Sequence, residues 1–302
     1  MGIEIVGYCE KYKKGVLDCF KRHYQWMSTV SDKELEEWTR PFLNYQWINK
    51  IVPEEFPFRY GQVMLNNDKV IGYLGYVYSK RQINGILYNY VTCTTWAIDE
   101  KYRIYLFKVF KQITQDVDVI ADFTSRESVK EVLMKIFKFK CFDNQVFKFY
   151  PIPFLKKNNI KYRAVTTDSQ LTDPIIKQEY RDHVQYNVKC LICNYSASSN
   201  TFYIFYKVII RETGFLGKVR WIKILKVTNG SLFAKNANEI IWYLQKQEYA
   251  FLESDARFFE NQKVNHLAFV VRPIHRLVLN KMQNELKPDS LYSEICMLEP
   301  HL

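Results

Sequence analysis

The stretch Thr95-Trp96-Ala97-Ile98-Asp99-Glu100-Lys101-Tyr102-Arg103 decides how this chain is read. A β-branched and aromatic run begins at about Ile86 and ends here, which predicts a strand. A short acidic turn follows, and Arg103 opens a helix whose apolar face carries Leu106, Phe110 and Ile113. A strand running into a helix N-terminus makes an anion site, because the first backbone N–H groups are unpaired and the helix dipole is positive there. Arg103 adds a forked cation suited to phosphate. A cation at that end is unfavourable for the helix alone, and a bound anion would offset the cost.

A second signal follows. Asp118-Val119-Ile120-Ala121-Asp122-Phe123 reads as a strand, and Thr124-Ser125-Arg126-Glu127-Ser128 supplies N-cap hydroxyls. Val129, Val132, Leu133 and Ile136 then form a helical stripe ending near Lys138-Phe139. Together with the hairpin that precedes it, this order resembles the GNAT superfamily of acyl-CoA-dependent acyltransferases. The resemblance implies an acyl-CoA co-substrate, acetyl-CoA or another, whose pyrophosphate is held by the strand-turn-helix. The residues it assigns to that role are Trp96, Ala97, Ile98, Arg103, Ile104, Tyr105, Leu106 and Arg126. The chain departs from the family pattern in three places. Arg103-Ile104-Tyr105-Leu106-Phe107 holds no glycine, Met134 stands where the family often has a Tyr general acid, and Lys138 stands at its usual Gly. Glycine lets a backbone approach phosphate closely, so a looser or altered cradle is expected.

The chain has 302 residues, which favours two domains of about 150 residues each. Hydrophobic residues make up 48%, with 22 Tyr and 21 Phe, enough for packed cores, while 10 Gly and 9 Pro argue against long disordered linkers. A formal charge of +11 favours anionic partners: coenzyme A, nucleotide-sugars, nucleic acid or a membrane surface. No apolar run reaches the roughly 18 residues of a membrane span, and no secretory leader pattern opens the chain. Seven scattered cysteines suit a reducing cytoplasm better than a disulfide framework. Cys190 and Cys193 form a lone CxxC inside a predicted strand, where the two thiols point to opposite faces. No metal site is expected.

The first half starts with a strand from Glu4 to Tyr8 and a helix from Lys13 to Met27, with Ser31 and Glu34 as a capping box for a second helix. A hairpin follows: Arg59 to Leu65, a turn at Asn66-Asn67-Asp68, and Lys69 to Ser79, with Gly72 and Gly75 marking a bulge or close approach. Prolines and polar residues between Pro151 and Pro174 break the pattern. The second half repeats the order: strands at Val188–Tyr195, Phe202–Arg211 and Val219–Leu225, a helix with Phe233, Ala237, Ile240, Ile241 and Leu244, then a strand at Tyr249–Leu252. The fold class read from this is α/β, an α+β mixed sheet in two tandem GNAT-like domains, each a mostly antiparallel sheet with flanking helices. Residues 1–155 form the N-terminal domain with the acyl-CoA site, 156–174 a connector, and 175–302 a C-terminal, acceptor-binding domain. The strings Trp96-Ala97-Ile98-Asp99-Glu100-Lys101-Tyr102-Arg103 and Leu291-Tyr292-Ser293-Glu294 also resemble tandem GNAT-like proteins of bacterial surface-polysaccharide gene clusters.

Amide formation from a thioester needs a neutral amine, donors for the tetrahedral oxyanion and a proton for the thiolate. Base candidates are Asp99, His266 and Glu294, the last on a terminal strand and on the acceptor side. The expected function is transfer of an acetyl or other short acyl group to an amine, of a sugar or nucleotide-sugar in surface-polysaccharide synthesis. Two alternatives remain: an aminoacyl-tRNA-dependent transferase of the tandem type, and a non-catalytic GNAT module.

Overall fold

The computed structural model describes residues 2–43, 58, 60–83, 85–123, 127–151, 160–195, 200–213, 217–260, 262, 264, 269–282, 286 and 288–297. Twelve strands form one mixed sheet in the order β1-β2-β3-β4-β5-β12-β6-β11-β10-β9-β8-β7. In the first half these are β1 (Glu4–Gly7), β2 (Gln62–Asn66), β3 (Lys69–Ile83), β4 (Ile86–Ile98) and β5 (Val119–Asp122), followed by β6 (Lys140–Phe149). In the second they are β7 (Ile160–Ala164), β8 (Val188–Tyr195), β9 (Asn200–Thr213), β10 (Gly217–Val227), β11 (Phe251–Asp255) and β12 (Phe269–Asn280).

The same order occurs twice. β1 to β4 are antiparallel neighbours and β5 lies parallel to β4. β7 to β10 are antiparallel neighbours and β11 lies parallel to β10. The sixth strand is exchanged: β12, from late in the chain, pairs with β5, and β6 pairs with β11. β6 and β12 then pair with each other and join the two arrays. The Asn67-Asp68 turn has both residues at positive φ, 49° and 62°, the backbone a tight hairpin demands.

Helices α1 (Lys13–His23) and α2 (Asp32–Leu43) belong to the first half, as do α3 (Leu106–Asp116) and α4 (Glu127–Lys135). α5 (Pro174–His183), α6 (Gly230–Lys235), α7 (Ala237–Glu248) and the short α8 (Glu294–Met297) follow. Val16, Cys19 and Phe20 bury α1, and Val109, Phe110 and Ile113 bury α3, as their periodicity dictates. One buried cluster gathers the first half with α5 and the chain's last described segment, and another packs β9 to β11 under α6 and α7. Cys190 belongs to the first and Cys193 to the second, on opposite faces of β8 as strand alternation requires.

Several boundaries differ from the sequence expectation. The helix expected to Met27 stops at His23 and continues as a 3-10 turn over Gln25–Thr29. The helix expected at Phe233–Leu244 is two, parted at Asn236, whose side chain donates to the Leu232 carbonyl at 2.8 Å and competes with the helix ladder. Tyr292-Ser293-Glu294 is not a strand. The Ser293 side chain donates to the Ser290 carbonyl at 2.7 Å, and the Ser293 carbonyl accepts from Cys296 and Met297 N–H, which winds the segment into a turn and α8. Lys138 has φ +61°, the left-handed conformation that Gly adopts without cost.

Candidate functional site

The geometry that matters starts with a glycine. β3 and β4 keep register down to Leu74 opposite Trp96, then shift so that Tyr76 faces Cys93. Gly75 alone therefore faces Thr94 and Thr95, a β-bulge. A Cβ on Gly75 would lie 2.2 Å from Thr94 Oγ1, so no larger residue fits without movement. At the same level β4 leaves β5: their parallel pairing ends at Cys93 opposite Asp122. Among the described residues no strand pairs with that edge of Thr94–Ile98. The result is an opening between the two strands, one wall of which is this edge of Thr94–Ile98. The Thr94 hydroxyl and Trp96 indole N–H are buried without a hydrogen-bond partner among the described residues.

α3 covers this region through aromatic packing. Trp96 meets Phe110 at 5.4 Å between ring centroids, and Phe110 meets Phe137 at 4.2 Å. The helix starts later than expected. Glu100–Tyr105 is a 3-10 turn, and α-helical geometry begins only at Leu106. Arg103 thus lies in the turn rather than at the helix start, 60% exposed, with Glu100 at 3.8 Å. Ile104 and Phe107 are exposed, and Tyr105 carries the Lys108 ammonium 5.3 Å from its ring centre. Ala97 is buried, and its carbonyl accepts from the Cys19 thiol at 3.4 Å; the Trp96 carbonyl accepts from Tyr24 Oη at 2.6 Å. Trp96, Ala97 and Ile98 therefore lie on the free edge of β4, and Arg103 to Leu106 follow in the turn that leads into α3.

The proposed bases are not gathered in this way. Asp99 turns toward α1, where its Oδ1 lies 2.8 Å from His23 Nε2 and 3.4 Å from Arg22 Nη2. Cys19 Sγ, His23 and Asp99 offer three ligand atoms within 4.8 Å of one another. Burial pushes the Cys19 thiol up to about 12 and Arg22 competes for Asp99, so the set is poorly suited to a cation. Arg126, His266 and the Glu294 side chain lie outside the described residues.

Sequence reasoning missed the buried charges where the two halves meet. Arg81 on β3 pairs with Asp289, which lies 3.5 Å from Lys226 of β10, and Lys226 also binds both carboxylate oxygens of Glu179. Burial opposes ionisation of Asp289, yet Arg81 and Lys226 hold its carboxyl far below the ordinary range. Tyr292 donates its hydroxyl to Asp182 at 2.8 Å, and its carbonyl accepts from Thr92 of β4. The Ser290–Met297 segment thus threads between the halves. The one cue was charge within apolar strands: Arg81 follows a run of buried residues from Val70.

The second half has its own opening. β10 and β11 part after Lys223 opposite Glu253, and Leu225 is the extra residue of a bulge against β9. Here the protein's own groups fill the positions. The Leu225 carbonyl accepts from Ser290 N–H at 2.8 Å. Glu260 accepts from Gly230 N–H at 3.0 Å and from the Ser231 hydroxyl at 2.6 Å, covering the start of α6 with a carboxylate. The cavity left, about 210 Å³, is lined by Lys226, Val227, Gly230, Arg257, Phe258, Glu260 and Asp289.

No protein-family model matches the sequence, and no curated protein matches it. Solved structures do match in fold. A GCN5-related N-acetyltransferase from Anabaena variabilis aligns over 92% of this chain and 72% of its own, with TM-score 0.58 and 9% identity. A probable N-acyltransferase from Enterococcus faecalis aligns over 93% and 73%, with TM-score 0.56 and 11% identity. A GCN5-related N-acetyltransferase from Kribbella flavida aligns over 93% and 72%, with TM-score 0.55 and 7% identity. At such identities the likeness establishes the mixed α/β fold.

Proposed function

We propose that this protein is an acyl-CoA-dependent acyltransferase that moves an acetyl or other short acyl group to an amine. The observation that carries the reading is the opening between β4 and β5, set by the Gly75 bulge and bordered by an edge that no described strand covers, where its second-half counterpart is plugged. Its fold is that of structures described as N-acetyltransferases. The thioester lies along the free edge of Thr94–Ile98, whose backbone N–H groups face the oxyanion. Trp96, Ala97 and Ile98 hold the pantetheine arm, and Arg103 through Leu106 with Arg126 take the pyrophosphate. The amine attacks the thioester carbonyl, a base among Asp99, His266 and Glu294 removes its proton, and the thiolate leaves with a proton.

The acceptor in this reading is an amino sugar, free or nucleotide-linked, of surface-polysaccharide synthesis. Seven cysteines, all free, suit a cytoplasmic enzyme, and no described helix is long and apolar enough to cross a membrane. Calorimetric titration with acetyl-CoA and desulfo-CoA tests the donor site. Saturable binding weakened by Arg103→Ala supports it, and the absence of binding by folded protein sinks it.

A further inference from the structure

On β10 and β11, Ile222 and Leu252 point into the core under α7, so Trp221, Lys223, Phe251 and Glu253 lie on the opposite face of the sheet. There the strand register sets Lys207, Lys223, Glu253 and Lys148 side by side across β9, β10, β11 and β6. Such a row spans three inter-strand spacings, about 14 Å. Arg211 joins it with two bonds to Glu253, at 2.8 and 3.0 Å, and Lys223 reaches the same carboxylate at 2.8 Å. Arg272, exposed on β12, stands two residues beyond Val270, which faces Lys148.

The charges on this face do not balance. Glu253 serves both Arg211 and Lys223, and Asp255, two residues further along β11, is taken by Arg257 and Arg276. Among the described residues Lys148 and Arg272 have no ion-pair partner, and the Lys148 ammonium rests 5.2 Å from the Trp221 ring centre. The buried Arg211 Nε also lacks an acceptor among the described residues. Burial, with Arg211, Arg272 and Lys223 nearby, depresses the Lys148 pKa despite Glu253. Holding the half-buried Lys148 ammonium without a counter-ion is costly, and an anion relieves it. Beside them Trp221 stacks on Phe251 at 5.1 Å, with exposed Tyr150 close by in the same direction. Lys207 and Lys223, 4% and 8% exposed, are too recessed to track a nucleic-acid backbone.

We propose that this face binds a nucleoside diphosphate, its phosphates between Lys148 and Arg272 and its ring end against Trp221 and Phe251. Binding stands by itself; that the nucleotide carries the amino sugar to be acylated rests on the acyltransferase reading. UDP is the probe, titrated calorimetrically into the full chain, with inorganic pyrophosphate and coenzyme A in parallel. Lys148→Gln and Arg272→Gln remove charges that hold no ion pair, so both variants fold. The expected result is one UDP per chain, weakened about tenfold by either substitution and unchanged by Arg103→Ala, with pyrophosphate binding about tenfold more weakly. Loss of UDP binding in Arg103→Ala with none in Lys148→Gln would place the nucleotide in the coenzyme site and overturn the proposal, as would no saturable UDP binding. Pyrophosphate binding as tightly as UDP overturns the ring contact. UDP binding in the expected pattern without coenzyme A binding leaves this site standing while the acyltransferase reading fails.

Discussion

Arg81 and Asp289 are 208 residues apart in sequence, and their side chains meet at 2.5 Å between Nη2 and Oδ2. The guanidinium is 4% exposed and the carboxylate 13%. This contact ties β3 of the first half to the segment threading between the halves, and Lys226 ties the same carboxylate to β10. Among the described residues Arg81 Nε and Nη1 have no acceptor, so loss of Asp289 leaves this buried charge without its ion-pair partner. Asp289→Asn is therefore expected to cost about 3–5 kcal/mol, read as a lower urea midpoint. The paired change Arg81→Met with Asp289→Leu, which removes both charges, should cost clearly less. Equal losses would mean that the Arg81 charge left without its partner is not what makes Asp289→Asn costly.

His183 predicts the acid side of the stability curve. Its ring is fully buried, with Nδ1 2.7 Å from the Glu179 carbonyl and Tyr292 edge-on at 4.4 Å. Burial lowers its pKa to about 4, against the hydrogen bond to Glu179 that favours the charged form. Because the folded value lies below the unfolded one, the unfolded chain binds the extra proton between about pH 6.5 and 4. Stability thus falls as pH drops through that window, by about 2 kcal/mol between pH 6.5 and 5. His183→Gln should flatten that part of the profile in urea titrations at stepped pH. An unchanged slope would assign the loss to other groups.

What the sequence revealed, and what it hid, divides along physical lines. The hairpin at Asn67-Asp68, the strand from Ile86 to Ile98 and the twofold order of elements were legible, because alternation and turn chemistry are local signals. The exchange of β6 and β12 was not, since both strands have ordinary patterns and only long-range pairing tells them apart. Gly75 was legible as a bulge marker, but Thr94 was not, because its position depends on the shifted register. Asp289 sits in a polar stretch whose composition suggests a solvated loop; burial there comes from both halves at once. Tyr292-Ser293-Glu294 looked like a strand because Ser hydrogen bonding to its own backbone leaves no periodic trace.

The Gly75 bulge predicts a rescue. Gly75→Ala places a methyl 2.2 Å from Thr94 Oγ1 and 3.1 Å from Tyr73 Cε1, and overpacking of this kind costs about 1–3 kcal/mol. The Thr94 hydroxyl has no hydrogen-bond partner among the described residues, so Thr94→Ala alone should be nearly neutral. The double variant should recover most of the lost stability and of the acetyl-CoA binding. A double-mutant cycle with no coupling would show that the methyl is absorbed elsewhere, and that this glycine does not set the opening.

The plugged second half predicts stoichiometry. Glu260 occupies Gly230 N–H and the Ser231 hydroxyl, where a phosphate would otherwise bind, and a Gly230 Cβ would lie 2.6 Å from Glu260 Cγ. A carboxylate fixed there repels a second anion as well as blocking its donors. Calorimetry should therefore find one acetyl-CoA per chain, its affinity lowered by Arg103→Ala and unaffected by Glu260→Gln. Two equal sites, or one site lost on changing Glu260 and kept on changing Arg103, would move the donor pocket to β10 and β11.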